Sequence, residues 1–102
     1  MKRGMEQAQA QLAQLLEESE LTAGMYVRVH GDHLIAGRSE HAGSNGAFEK
    51  DDRVRFTRLG SATYGLSVKR HTGRWERTPF RGSLKNMVET VHAVMQHLVA
   101  PF

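Results

Sequence analysis

The stretch from Tyr26 to Ala36 (YVRVHGDHLIA) constrains the fold more than any other part of the chain. Successive side chains of a strand point to opposite faces, and a two-residue loop with glycine first suits a type II′ turn. A turn at Gly31-Asp32 therefore predicts a hairpin that pairs His30 with His33, Val29 with Leu34, Arg28 with Ile35 and Val27 with Ala36. One face is then wholly apolar, with Val27, Val29, Leu34 and Ala36. The other carries Arg28, His30, His33 and Ile35. A slip of one residue would mix the two sets, so register and hydrophobic pattern support each other.

The same reasoning predicts a second hairpin. Arg53 to Leu59 and Thr63 to Arg70 both alternate, and a three-residue loop at Gly60-Ser61-Ala62 sets Phe56 opposite Leu66 and Val54 opposite Val68. That register leaves Val54, Phe56, Leu66 and Val68 on one apolar face and aligns Arg53 with Lys69 on the other. Tyr64 shares parity with Leu66 and points inward. A turn at Thr72-Gly73 leads into a short fifth strand, Arg74 to Thr78, which Pro79 is expected to end because it has no N–H for a ladder. Between the hairpins, residues 39–52 (SEHAGSNGAFEKDD) show no period and are rich in Gly, Ser, Asn and charge, the composition of a flexible, disordered loop.

Helices flank these strands. Met5, Ala8, Leu12, Leu15 and Leu16 recur at helical steps over residues 5–20, with Gly24 a natural stop. Ser83 is placed to cap a last helix whose stripe is Leu84, Met87, Val88, Val91, Met95 and Leu98, and Pro101 bars its continuation. Strands in a run between two helices imply an α+β domain. The expected form is a two-layer sandwich of a four- or five-stranded antiparallel meander, with both helices on the face of Val27, Val29, Leu34, Val54, Phe56, Leu66 and Val68. The 102 residues are enough for a single domain with one modest core.

Composition removes several classes of function. With no cysteine there is no disulfide framework, zinc–thiolate site, iron–sulfur cluster or thiol nucleophile. No apolar run approaches the roughly 20 residues that cross a bilayer, so no membrane partner is expected. Met1-Lys2-Arg3 resembles the start of a secretory signal, but Glu6 and the glutamines at 7, 9, 11 and 14 break up the apolar segment a signal would need, which makes the cytoplasm the expected compartment. No His-Glu-x-x-His, phosphate-binding loop or nucleophile elbow occurs. His30 and His33 face each other across the first hairpin, but a metal site needs a third ligand that nothing places nearby. The chain is therefore expected to be neither an enzyme nor a cofactor or metal protein.

Charge is the positive signal. The net +3 conceals residues 53–85, which hold nine bases against Glu76 alone. A segment so unbalanced sets up a positive field unless acidic parts of the chain fold over it. Arg28, Arg53, Arg55, Lys69, Arg70, Arg74 and Arg77 are the candidate nucleic-acid contacts on the polar side of the sheet, with Gly65 and Ser67 keeping that side low. Glu76 can offset part of this charge by facing Lys69 across the last turn. Trp75 is inward with a two-residue turn and outward with a three-residue one; core packing is the expectation, since large aromatics usually carry burial. The element order resembles that of small sheet-and-helix nucleic-acid binders, in topology and without a shared motif. Two functions are therefore expected as alternatives: a non-enzymatic nucleic-acid-binding domain, single-stranded or non-specific, or a protein-interaction or adaptor module that dimerises through its helices, its basic face serving an acidic protein partner or nothing. The apolar stripes of both helices suggest a homodimer in either case.

Overall fold

The structure is a computed structural model that describes residues 3–42, 47–70 and 72–99. Its elements are α1 (Arg3–Glu17), β1 (Tyr26–His30), β2 (His33–Ala42), β3 (Ala47–Arg58), β4 (Tyr64–Lys69), β5 (Trp75–Gly82), α2 (Leu84–Val94) and α3 (Gln96–Val99). The five strands form one antiparallel meander in chain order, β1-β2-β3-β4-β5. All helices lie on one side, α1 against β1 and β2, α2 against β4 and β5, and α3 against β3. This is the expected α+β sandwich.

The first hairpin has the predicted register throughout. Gly31 takes a positive φ of 62° and no non-glycine residue among those described does, which is the sign pattern of a II′ turn. The second hairpin pairs Val54 with Val68 and Phe56 with Leu66 as expected. Leu59 N–H donates to the Thr63 carbonyl at 2.8 Å and closes the Gly60–Ala62 loop. Between sheet and helices, Leu34, Ala36, Val54, Phe56, Tyr64 and Leu66 meet Met5, Leu12, Leu16, Met87, Val91 and Val99 in a single core.

Four expectations need correction. Residues 39–42 and 47–52 are strand and not a disordered loop: Ser39 pairs with Lys50 and Ala42 with Ala47, while residues 43–46 lie outside the described set. Backbone pairing asks only for N–H and C=O groups, so a ribbon of this kind forms without the apolar alternation that marks burial. Pro79 does not end β5. Three residues, Thr78 to Phe80, stand against the single residue Leu66 in a bulge, and Thr78 Oγ1 donates to the Leu66 carbonyl at 2.7 Å in place of a ladder N–H. β5 is an edge strand, where a proline is tolerated.

Arg53 does not face Lys69. The register shifts where Ala36 pairs with Val54 and Gly37 with Asp52, so Arg53 is the extra residue of a bulge. A bulge brings two successive side chains to one side of the sheet, and Arg53 joins Val54 on the helix side. There its Nη1 donates to the Leu98 carbonyl at 2.7 Å and its Nε to Asp51 at 2.7 Å. The last helix is also two helices, broken at Met95, where φ is −125°. The turn into α3 buries Val99 and delivers its carbonyl to Arg38. Arg38 is itself buried, with its guanidinium spread over the carbonyls of Val99, Ala23 and Leu21 at 2.7–3.0 Å.

Smaller contacts fasten the helical layer. Gln9 Nε2 donates to the Val27 carbonyl at 2.8 Å, so α1 covers part of the β1 edge. The buried Thr22 hydroxyl gives its one hydrogen to the Leu16 carbonyl at 2.6 Å, so the His92 Nε2 at 3.0 Å is the donor to it. Ser83 caps α2 as expected, accepting from Asn86 N–H. No described helix is long and apolar enough to cross a membrane.

Candidate nucleic-acid interface

The face of the sheet turned away from the helices is built from cross-strand rows. Reading from β1 to β5, one row is Arg28, Ile35, Arg55, Ser67 and Arg77; the next is His30, His33, Thr57, Gly65 and Arg81. The strand β4 thus contributes Ser67 and Gly65, two small residues, between longer side chains on both sides. Arg55 and Arg77 are two strand spacings apart, about 10 Å between backbones, with a trough between them. The trough is a cleft of about 130 Å³ bounded by His33, Arg55, Thr57, Arg77, Thr78 and Arg81, with Leu59 and Phe80 beside them. Among the described residues no carboxylate lines it.

The face is not bare. Ile35 and Ser67 are each 3% exposed although neither lies under a helix. Each has arginines as row neighbours, Arg28 and Arg55 for Ile35 and Arg55 and Arg77 for Ser67, and the stems of such long side chains can lie along apolar surface. Arg55 lies over the Trp75 ring, 4.9 Å from its centroid. Trp75 is therefore outside the core, contrary to expectation. Arg70 N–H donates to the Arg74 carbonyl, so the last hairpin sets Lys69 opposite Trp75 and turns the indole outward.

Electrostatics divide this face in two. At one end Asp52 accepts from Arg28 Nη2 at 2.6 Å and from the Tyr26 hydroxyl. Burial pushes the Asp52 carboxyl up, but hydrogen bonds from Arg28 and Tyr26, with the charge of Lys69 nearby, hold it below its ordinary value. Burial and the bond to Asp52 push the Tyr26 phenol well above its ordinary range. At the other end no described carboxylate lines the cleft, and Asp32 acts on His33 only as a nearby charge. Arg55 is pulled down by burial and by Arg77, and its buried Nε has no hydrogen-bond partner among the described residues. His33 is likewise held below its ordinary value by burial, then by Arg55 and His30. The His33 ring stacks on His30 with centroids 6.4 Å apart and meets Thr57 Oγ1 at 2.8 Å through Nδ1.

The seven candidate contacts therefore separate. Arg55 and Arg77 share the cleft. Arg28 and Lys69 lie on the same face beside Asp52. Arg70 pairs with Glu76 at 2.8 Å, the acid expected to face Lys69, which instead stands opposite Val68. Arg74 is exposed at the final turn, and Arg53 belongs to the other side of the sheet. Of the ionisable side chains that line the cleft, Arg81 and His33 are not among the sequence candidates. Arg81 shares parity with Arg77, a signal that vanishes if the strand is made to stop at Pro79. Among the described residues no three metal-ligating side chains converge. The chain matches no family model, no curated protein and no solved structure.

Proposed function

We propose that this chain is a small non-enzymatic domain that binds nucleic acid, single-stranded or without sequence preference, through the outer face of its sheet. The observation that carries the reading is the Arg55–Ser67–Arg77 row, in which two guanidiniums with no carboxylate partner among the described residues flank a trough and Trp75 lies against one of them. Like charges held near one another are unfavourable in the isolated protein, and an anion between them relieves that cost. Proteins that hold single strands combine such a basic track with aromatic rings on which bases stack. Arg28 and Lys69 extend the track beyond the cleft. The test is binding of a labelled oligonucleotide across a salt series: affinity falls steeply with salt if phosphates displace counterions. Absence of binding at about 50 mM salt removes the reading.

The second reading is a protein-interaction module that pairs with another copy through its helices, and Val94, 54% exposed at the α2–α3 joint, is the observation in its favour. Most of the remaining apolar surface that suggested a dimer packs into the core of the monomer, Leu15 and Leu98 only in part. Met5, Ala8, Leu12 and Leu16 of α1 are all buried. Sedimentation at micromolar concentration decides between a species at 11.4 kDa and one of twice that mass.

A further inference from the structure

We infer that the cleft takes the terminal phosphate of a nucleic-acid strand, in preference to the phosphodiesters along its length. The inference rests on the nucleic-acid reading above and narrows it. A phosphate monoester offers three terminal oxygens and close to two negative charges near neutral pH, whereas an internal diester offers two free oxygens and one charge. The cleft matches the first. Arg55 approaches from β3, and Arg77 and Arg81 from β5, so cationic donors reach it from both sides of β4. The Arg55 Nε is buried and has no hydrogen-bond partner among the described residues.

Shape favours an end over a chain passing through. The cleft is small, about 130 Å³, and Phe80 and Leu59 stand at its boundary. Those two are among the few large apolar side chains left exposed, at 38% and 53%. An apolar boundary next to a cationic cleft suits a ligand with a charged group attached to a flat apolar one, which describes a terminal nucleotide. A phosphorylated side chain of a protein supplies the same anion without the base. The aromatic surface of Phe80 at the cleft boundary, with Trp75 beyond it under Arg55, argues for the nucleotide.

The experiment compares one short single strand carrying a 5′-hydroxyl, a 5′-phosphate or a 3′-phosphate, by fluorescence anisotropy in the same buffer. A phosphate at one end or the other should tighten binding about tenfold, the value of one good charge-assisted interaction. Inorganic phosphate should compete, and Arg77→Gln should abolish the advantage while a thermal melt shows the fold intact. Arg81→Gln, at a second exposed position, should reduce it as well. Three strands of equal affinity overturn the inference and leave the nucleic-acid reading standing. A phosphoserine peptide that binds more tightly than the phosphorylated strand overturns it in favour of a protein ligand. Failure of all strands to bind removes both readings together.

Discussion

Arg53 and Arg55 are two residues apart on β3, yet they serve opposite faces of the sheet: Arg53 donates to the Leu98 carbonyl beneath α3, and Arg55 lies over Trp75 on the outer face. Alternation should have put them side by side. The bulge at Arg53 re-phases the strand, so one guanidinium helps hold the helical layer and the other belongs to the cleft.

This separation gives a paired prediction. Arg55→Gln and Arg77→Gln should each weaken oligonucleotide binding and lower the salt dependence by about one unit of slope, as the loss of one phosphate contact does. Arg53→Gln should leave the slope unchanged and instead destabilise the fold by about 1–3 kcal/mol through its lost charged hydrogen bonds. Denaturant titration and salt-dependent binding on the same three variants provide the check. Equal slopes in all three would remove Arg55 and Arg77 from the interface.

Trp75 is the sole tryptophan, so its fluorescence reports on the outer face without labelling. Oligonucleotide binding should quench it. Trp75→Leu should weaken binding by about 1–3 kcal/mol, the range for one stacked base. Unchanged emission at saturation would place bound bases away from the indole.

Gly37 should be intolerant of any side chain. A Cβ there would meet the Asp51 carbonyl oxygen and, at 2.8 Å, the Asp52 Cα, both backbone atoms of the neighbouring strand, as well as the Tyr26 hydroxyl. Gly37→Ala should therefore cost about 1–3 kcal/mol or more as the β2–β3 ladder opens at its bulge. A loss below about 0.5 kcal/mol in urea unfolding would mean that the ladder yields without difficulty.

His33 links the cleft to pH. Burial is the largest influence against its charged form; Arg55, His30 and Arg77 add to it, Asp32 opposes it, and the net shift is downward. The unfolded chain then binds the proton more readily than the folded one. The His33 contribution to stability is complete above the ordinary value of 6.5 and is lost as pH falls below it toward the depressed folded value. An anion in the cleft reverses the local field. Sulfate, which keeps its charge in this range, should raise the His33 titration midpoint in an NMR experiment and bind more tightly as pH falls through it. A midpoint indifferent to sulfate would place the anion elsewhere.

The parts of the fold legible in the chain are those that burial imprints on it. Leu34 and Phe56 lie where alternation puts them because each strand has one face against the helices, and Leu12 and Leu16 are buried because they share a stripe of α1. The outer face leaves a weaker imprint. Arg55 and Arg77 are recognisable as basic residues, but their convergence depends on two bulges and on the length of one turn, none of which changes hydrophobic periodicity. Trp75 defies its expected place for that reason, and Arg81 is hidden because Pro79 resembles a terminator until its strand is known to be an edge. The ribbon of residues 39–42 and 47–52 is illegible because it is held by backbone pairing, which any residue other than proline can supply.

Pro79 and Gln9 also govern how the molecule behaves among copies of itself. An open strand border is a template on which another chain can crystallise its own backbone, the first step toward fibres. β5 interrupts that template with a residue that has no hydrogen to give and with a three-against-one bulge, and on β1 the Gln9 amide already occupies one of the outward carbonyls. Growth of the sheet sideways is thereby discouraged at both borders. The broad basic face can stay uncovered without the exposed backbone that would make so open a sheet prone to polymerise.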